Sequence, residues 1–391
     1  MLKYRSCSIL VAAATTALAL TWLVADVEVM NAGHLSGLFY VGANAALPAG
    51  ALADHIYRVS DERGYDGQFY YLIAHDPLNR RGFLAYVDTP RYRWRRIGLP
   101  GLAYVLAFGN DIWIDPVYVA LELMFVFLGA YWLSAYASRN QRSAVWGLAF
   151  LLIPAVAVSL DRMTIDLPLA ALSIALLLHA SRGKPHWSAH AALIAAPLVR
   201  ETGILLILAW CAFWALRKHF RYALAGAACA LPAVGWWLFV ALHTTPDRTG
   251  FLASFPFSGV VTWTIHAMAE PIAAYGPGAD AATELVALTG IWLAFALAIY
   301  LAVKLRFHGS QWDLPELTVV LFAAFASLIA YQDIWASLYG IGRTLSPLLV
   351  ALAAIALRDR RPLFAGPLLL AVPRIALQFA AEIKVALLTR S

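Results

Sequence analysis

Stretches of roughly 20 mostly apolar residues, the length a helix needs to span a bilayer, recur from one end of this 391-residue chain to the other. No soluble core can absorb so many. Composition agrees, with 62% of residues hydrophobic and only 13% charged,. A membrane β-barrel needs short alternating segments instead, and no such alternation runs through the sequence. The chain reads as an all-α polytopic integral membrane protein, a single transmembrane domain over residues 1–391.

Candidate spans fall at 8–27, 116–137, 144–158, 167–181, 187–199, 203–216, 222–243, 282–303, 315–332, 343–357 and 362–387, about 11 transmembrane helices,. Lys3 and Arg5 precede the first apolar run, Ile9 to Ala25. That run is long for a signal peptide and no clean small-residue cleavage site follows, so it reads as an uncleaved helix. Whether residues 362–391 cross fully or fold back is open, because Arg374 after Pro373 puts a costly charge in mid-segment,.

The formal charge of +6 does not point to nucleic acid, because the basic residues are not gathered on one surface. Fourteen of the 29 Lys and Arg residues sit in short connectors: Lys3, Arg5, Arg139, Arg142, Arg182, Lys184, Arg217, Lys218, Arg221, Lys304, Arg306, Arg358, Arg360 and Arg361. Strict alternation from a cytoplasmic N-terminus puts every one of these on the cytoplasmic side, as the positive-inside bias expects.

That parity constrains the middle of the chain. One long helix over 187–216 would put Arg182/Lys184 and Arg217/Lys218 on opposite sides. Two short helices joined by a turn at Arg200-Glu201-Thr202-Gly203 keep them together, each arm rising only about 20 Å against a core of about 30 Å. Residues 144–181 repeat the pattern around a turn from Ser159 to Asp166 that contains Asp161 and Arg162. Charged turns at such depth require a wet, protein-lined cavity. Tilted, longer helices reaching the surface are the plainer alternative.

The connection from about 29 to 114 is the longest polar stretch, on the extracytoplasmic side by the same parity, with the helical bundle at 115–391. Within it, Gly64 to Pro77 reads as a short helix, with Asp66 placed to cap its start and Pro77 closing it,. Phe69, Leu72 and Ile73 share one face, which suits a helix lying along the membrane interface, and Tyr65, Tyr70 and Tyr71 suit that depth. Asp66 is either an N-cap or a general base; Asp54, Asp61, Glu62, Asp76 and Asp88 are rivals that spacing does not exclude,.

Arg91-Tyr92-Arg93-Trp94-Arg95-Arg96 follows, against the positive-inside trend. Guanidinium groups bind phosphate bidentately, while attraction to anionic headgroups would explain the same cluster. Residues 97–108 are too short to span and read as a second interfacial or re-entrant helix,. Arg343 stands at the outer mouth of a span, with Pro347 in its first turn, as a phosphate clamp or a snorkelling side chain,. The three cysteines and ten histidines show no metal-ligand spacing, and no phosphate-binding loop, zincin motif or nucleophile elbow is found,. His75 beside Asp76 reads as a helix-end residue.

Together these residues resemble the GT-C superfamily of polytopic glycosyltransferases, especially bacterial members with a Tyr-Asp-Gly-Gln-Phe-Tyr-Tyr segment in the first outer loop. The matching positions are Tyr65–Tyr71, Ile73-Ala74 with Asp76-Pro77, Arg91–Pro100, Arg162 to Asp166, Arg200–Gly203 and Arg343 to Pro347. The resemblance implies interfacial helices in the first extracytoplasmic loop and a bacterial inner-membrane location. It also implies transfer of a sugar from a polyprenyl-phosphate-linked donor to a glycan, lipid or protein acceptor. In that reading Asp66 is the base, with Asp166, Asp161 or Glu201 as a second acidic group. Arg95, Arg96, Arg200 and Arg343 bind the donor phosphate; Tyr65, Gln68, Tyr70 and His75 line the substrate or interface. No essential metal or other cofactor is expected, and the chain lacks an obvious Asp-x-Asp cluster. Two other classes fit the same residues: a lipid-linked sugar flippase or other transporter, which would need alternating access, and a non-catalytic partner in polysaccharide assembly.

Overall fold

A computed structural model describes residues 2–49, 55–181, 185–246, 252, 255–269, 278–307, 312–335 and 337–388. Asp54, Arg182 and Lys184 lie outside the described residues. The chain opens with α1 (Leu2–Ala25), prolonged by a π-helical turn to Met30. The long loop holds one short parallel pairing, β1 (Val41–Gly42) with β2 (Arg58–Val59), in register Val41 to Arg58. It also carries α2 (Gly67–His75), α3 (Pro90–Trp94) and α4 (Gly98–Leu106).

α5 (Asp111–Arg139) leads to a 3-10 helix, Ala144–Leu152, which bends by 57° into α6 (Pro154–Arg162). Pro154 at the first position of α6 has no N–H to continue the preceding ladder, so the chain breaks there,. Then come α7 (Asp166–Ala180), α8 (Trp187–Val199), a 3-10 turn at Glu201–Gly203, α9 (Ile204–Leu216), α10 (Phe220–Ala228) and α11 (Leu231–His243). The remainder is α12 (Ser258–Ala269), α13 (Ala279–Phe307), α14 (Leu314–Ser327), α15 (Gln332–Trp335), α16 (Leu338–Asp359) and α17 (Gly366–Leu388).

Among the described residues, six helical stretches are long and apolar enough to cross a membrane: Ser6–Met30, Asp111–Arg139, Phe220–His243, Ala279–Phe307, Leu338–Asp359 and Pro362–Lys384. The bent pair at 144–162 makes a seventh if taken as one span. α7, α8, α9 and α14 are apolar but shorter. The last segment, left open above, is continuous and long enough to cross. Its Arg374 is paired with Glu284 (3.1 Å) and Asp280 (3.6 Å) of α13. Leu224, Leu231 and Leu242 on α10–α11 are 70%, 68% and 75% exposed, a surface suited to lipid rather than water,.

Side-chain bonds sort the connectors to two ends of the bundle. At one end, Arg139 donates to the Ser181 carbonyl (2.7 Å) and Arg142 to that of Leu357 (3.2 Å). There Arg217 and Arg358 share Asp313 at 3.1 and 3.3 Å. The other end gathers residues 66, 93, 96, 166, 200, 201 and 343. Residues 144–181 and 187–216 therefore run out and back, as charge parity requires. Asp161, Asp166, Arg200 and Thr202 in their turns are all buried in protein.

One expectation about the long loop changes. α2 does not lie on an outer surface: Leu72 and Ile73 are buried with Tyr70, Tyr71, Ala74 and His75, because α4 and α5 cover it. α4 does keep an open apolar face, with Val105 and Leu106 exposed and Leu99 and Ala103 buried, as an interfacial helix would.

Candidate active site

A cavity of ≈ 390 Å3 opens among α2, α3, α15 and the start of α16. Its lining includes Tyr65, Asp66, Gln68, Tyr92, Arg93, Arg96, Arg200, Tyr339 and Arg343. Two glycines bring these walls together. A Cβ on Gly67 would strike the backbone oxygen of Arg162, so only glycine lets Asp66 sit against the α6–α7 turn. A Cβ on Gly98 would lie 2.8 Å from the Val199 nitrogen, so glycine also lets the start of α4 reach the Arg200 turn.

Asp66 does not cap α2. Its backbone is already helical (φ −55, ψ −30) and its side chain makes no cap bond. The carboxylate is taken instead by two guanidinium groups, Arg93 at 2.9 Å and Arg343 on its other oxygen. Arg93 spreads its remaining nitrogens over Asp88 in a fork of two 2.9 Å bonds. Burial pushes the Asp66 carboxyl up, but Arg343 and Arg93 outweigh it and hold the group well below the usual carboxylate range,. Asp66 is therefore an ionised acceptor at neutral pH.

Behind this pair stands a second tier. Arg343 also reaches Asp166 (3.4 Å), which is buried at the start of α7 and paired with Arg200. Arg200 donates to the Thr344 hydroxyl (2.8 Å). Arg96 forks onto Glu201 with two 2.7 Å bonds and donates to the Tyr70 hydroxyl at 2.7 Å. Four arginines (93, 96, 200, 343) thus face four carboxylates (66, 88, 166, 201). Arg63 adds an exposed cation to the lining, with no carboxylate partner among the described residues. Arg343 also stacks on Tyr65, 5.1 Å from the ring centre, and Tyr65 meets Tyr339 edge-on.

Several site residues expected from sequence fall elsewhere. Arg95 does not line the cavity; Arg93, one turn before Arg96 on the same helix face, does,. That three-residue spacing was legible in the sequence. His75 is buried between Asp111 (2.8 Å) and Asp115 (3.1 Å), where it ties α2 to the start of α5 away from the cavity. Asp76 is spent on the backbone N–H groups of Arg80, Arg81 and Phe83. Asp161 accepts from the Tyr339 hydroxyl (2.9 Å) and Arg162 (3.3 Å), reaching the cavity only through Tyr339. Tyr70 is fully buried and serves Arg96. Gln68 lines the wall while bonding Gly42 N–H (3.3 Å) and the Arg63 carbonyl (3.0 Å). Arg343 lies inside α16 rather than before it, because the helix starts at Leu338 and Pro347 is internal.

Among the described residues no three His, Cys, Asp or Glu side chains are placed to hold a metal ion. No protein-family model, no curated protein and no solved structure matches this chain.

Proposed function

We propose that the protein is a membrane glycosyltransferase that uses a polyprenyl-phosphate-linked sugar, with Asp66 as general base. The observation that carries this reading is the position of Asp66. An ionised carboxylate at a cavity wall, gripped by two arginines, would become a proton acceptor once a bound phosphate draws those arginines away. Donor phosphate would compete with Asp66 for Arg93 and Arg343, with Arg63 as a further cation. Each guanidinium transferred to phosphate raises the basicity of Asp66, so donor binding would prepare the base.

The reaction then balances simply. The acceptor oxygen attacks the anomeric carbon, the bond from that carbon to the phosphate oxygen breaks, and the phosphate leaves with the electron pair. Asp66 takes the acceptor proton, and the anomeric configuration inverts. Arg343, Arg93 and Arg63 stabilise charge that grows on the leaving phosphate. Buried Asp166 and partly buried Glu201 position Arg343, Arg200 and Arg96. No metal is required for these steps.

The same reading assigns the Arg343 end to the extracytoplasmic side of a bacterial inner membrane, with the N-terminus cytoplasmic. About 11 crossings result if each short apolar helix counts as one. The lipid tail of the donor would remain in the bilayer. The test is transfer from purified polyprenyl-phosphate sugars by wild-type protein and Asp66→Asn in detergent. The expected loss is about 10²- to 10⁴-fold, with EDTA leaving the wild-type rate unchanged. Undiminished transfer by Asp66→Asn sinks the assignment.

A further inference from the structure

At the opposite end of α16 lies a different kind of cavity. A groove of ≈ 310 Å3 runs between the 144–152 helix, α7, α16 and the start of α17. Its walls are almost wholly apolar, including Trp146, Ile153, Ile174 and Leu368, and its mouth carries Arg142 and Arg360. Arg360 is 17 residues beyond Arg343 in the chain, roughly 25 Å along the helix axis,. The groove is thus remote from the Asp66 cavity and near the other leaflet.

The two mouth arginines are uncommitted. Arg142 gives one nitrogen to the Leu357 carbonyl (3.2 Å), and neither it nor Arg360 has a carboxylate partner among the described residues. Neighbouring Arg358 is committed, to Glu316, Asp313 (3.3 Å) and Asp359 (2.7 Å). A free anion would satisfy the mouth but leave the apolar walls empty. A zwitterionic lipid would fill the walls but bring its own cation to the arginines. An amphiphile with an anionic head matches both, and half-exposed Trp146 suits the headgroup depth,.

We propose that this groove seats one anionic glycerophospholipid, its phosphate between Arg142 and Arg360 and an acyl chain along the Trp146–Leu368 wall. The site rests only on the membrane character of the chain and stands or falls separately from glycosyl transfer.

The experiment is native mass spectrometry of the full chain in detergent, titrated with phosphatidylglycerol or phosphatidylcholine. Phosphatidylglycerol should bind at least about tenfold more tightly, and the Arg142→Gln/Arg360→Asn variant should lose roughly 30-fold, as expected for two headgroup charges. Asn is chosen because Arg360 has φ 59, a left-handed conformation that Asn tolerates,. Lys304→Gln/Arg306→Gln removes two charges from α13, whose Tyr300 meets Phe364 at the same end (6.4 Å), and should change binding less than about twofold,. Ala353→Trp fills the groove without touching charge and should abolish binding. Equal affinity for both lipids overturns the proposal. So does wild-type binding by either groove variant, or an equal loss in the α13 control.

Discussion

The two ends of α16 carry the same chemistry in opposite settings. At one end the largely covered Arg343 and Asp66, 13% and 18% exposed in their side chains, meet buried Asp166, and the neighbouring Arg200 and Arg96 are buried too. At the other, Arg358 meets the buried Glu316 but also Asp313 and Asp359, whose side chains are 43% and 35% exposed. Water screens the Asp313 and Asp359 pairs and leaves them nearly free to break. The first network is largely withdrawn from water, so its members depend on one another. A helix that needed only solubility would use the exposed kind. Withdrawing four arginines and Asp166 from water beside a cavity, with Asp66 and Glu201 partly covered and Asp88 at the open edge, costs desolvation, and the return is a polar site held in one geometry.

The sharpest way to break this contrast is Arg343→Ala, which leaves Asp66 to Arg93 alone and Asp166 to Arg200 alone. We expect a loss of about 1.5–3 kcal/mol, read as reduced thermal stability in detergent, with part of it recovered in Asp66→Asn/Arg343→Ala. A fully additive double mutant would show that the buried network is not cooperative. Gly67→Ala tests the closeness of Asp66 to the α6–α7 turn and should cost about 1–3 kcal/mol through overpacking. Asp313→Asn, at the exposed edge of the other network, should cost at most about 1 kcal/mol by the same measurement. A loss matching that of Arg343→Ala would erase the difference between the ends.

The smallest effect concerns pH. The folded Asp66 carboxyl lies below its unfolded value of about 3.9,. Its ion pairs therefore contribute fully above that value and are lost only as pH falls through the lowered folded one. Asp66 should add no acid limb to kcat/KM between about pH 5 and 8, since that ratio reports the free enzyme. An acid limb in that window that Asp66→Asn removes would contradict the pairing.

Much of the architecture was legible because it rests on local rules. The helix bounds 187–199, the Arg200 turn and the ends of α2 follow from apolar length, turn residues and Pro77,. The out-and-back course of the two hairpins followed from charge parity alone. The two nine-residue helices α2 and α4 mark where this stops. Both are apolar and both looked interfacial. One is enclosed and the other is not, because burial depends on which distant helix packs over it, and a short apolar run is compatible with either.

The site divides in the same way. By itself the sequence determined a membrane-spanning helical chain and placed its unusual charges in one long loop, two short turns and the head of one helix. That outcome rests on hydropathy, charge parity and helix length, which are properties of adjacent residues. Only the tertiary structure decided that Asp66 turns from capping to ion pairing, that Arg93 rather than Arg95 faces it, and that His75 is structural. Those choices are made by partners up to 277 residues away in the chain, whose electrostatic pull, once buried together, exceeds anything a neighbouring backbone N–H can offer.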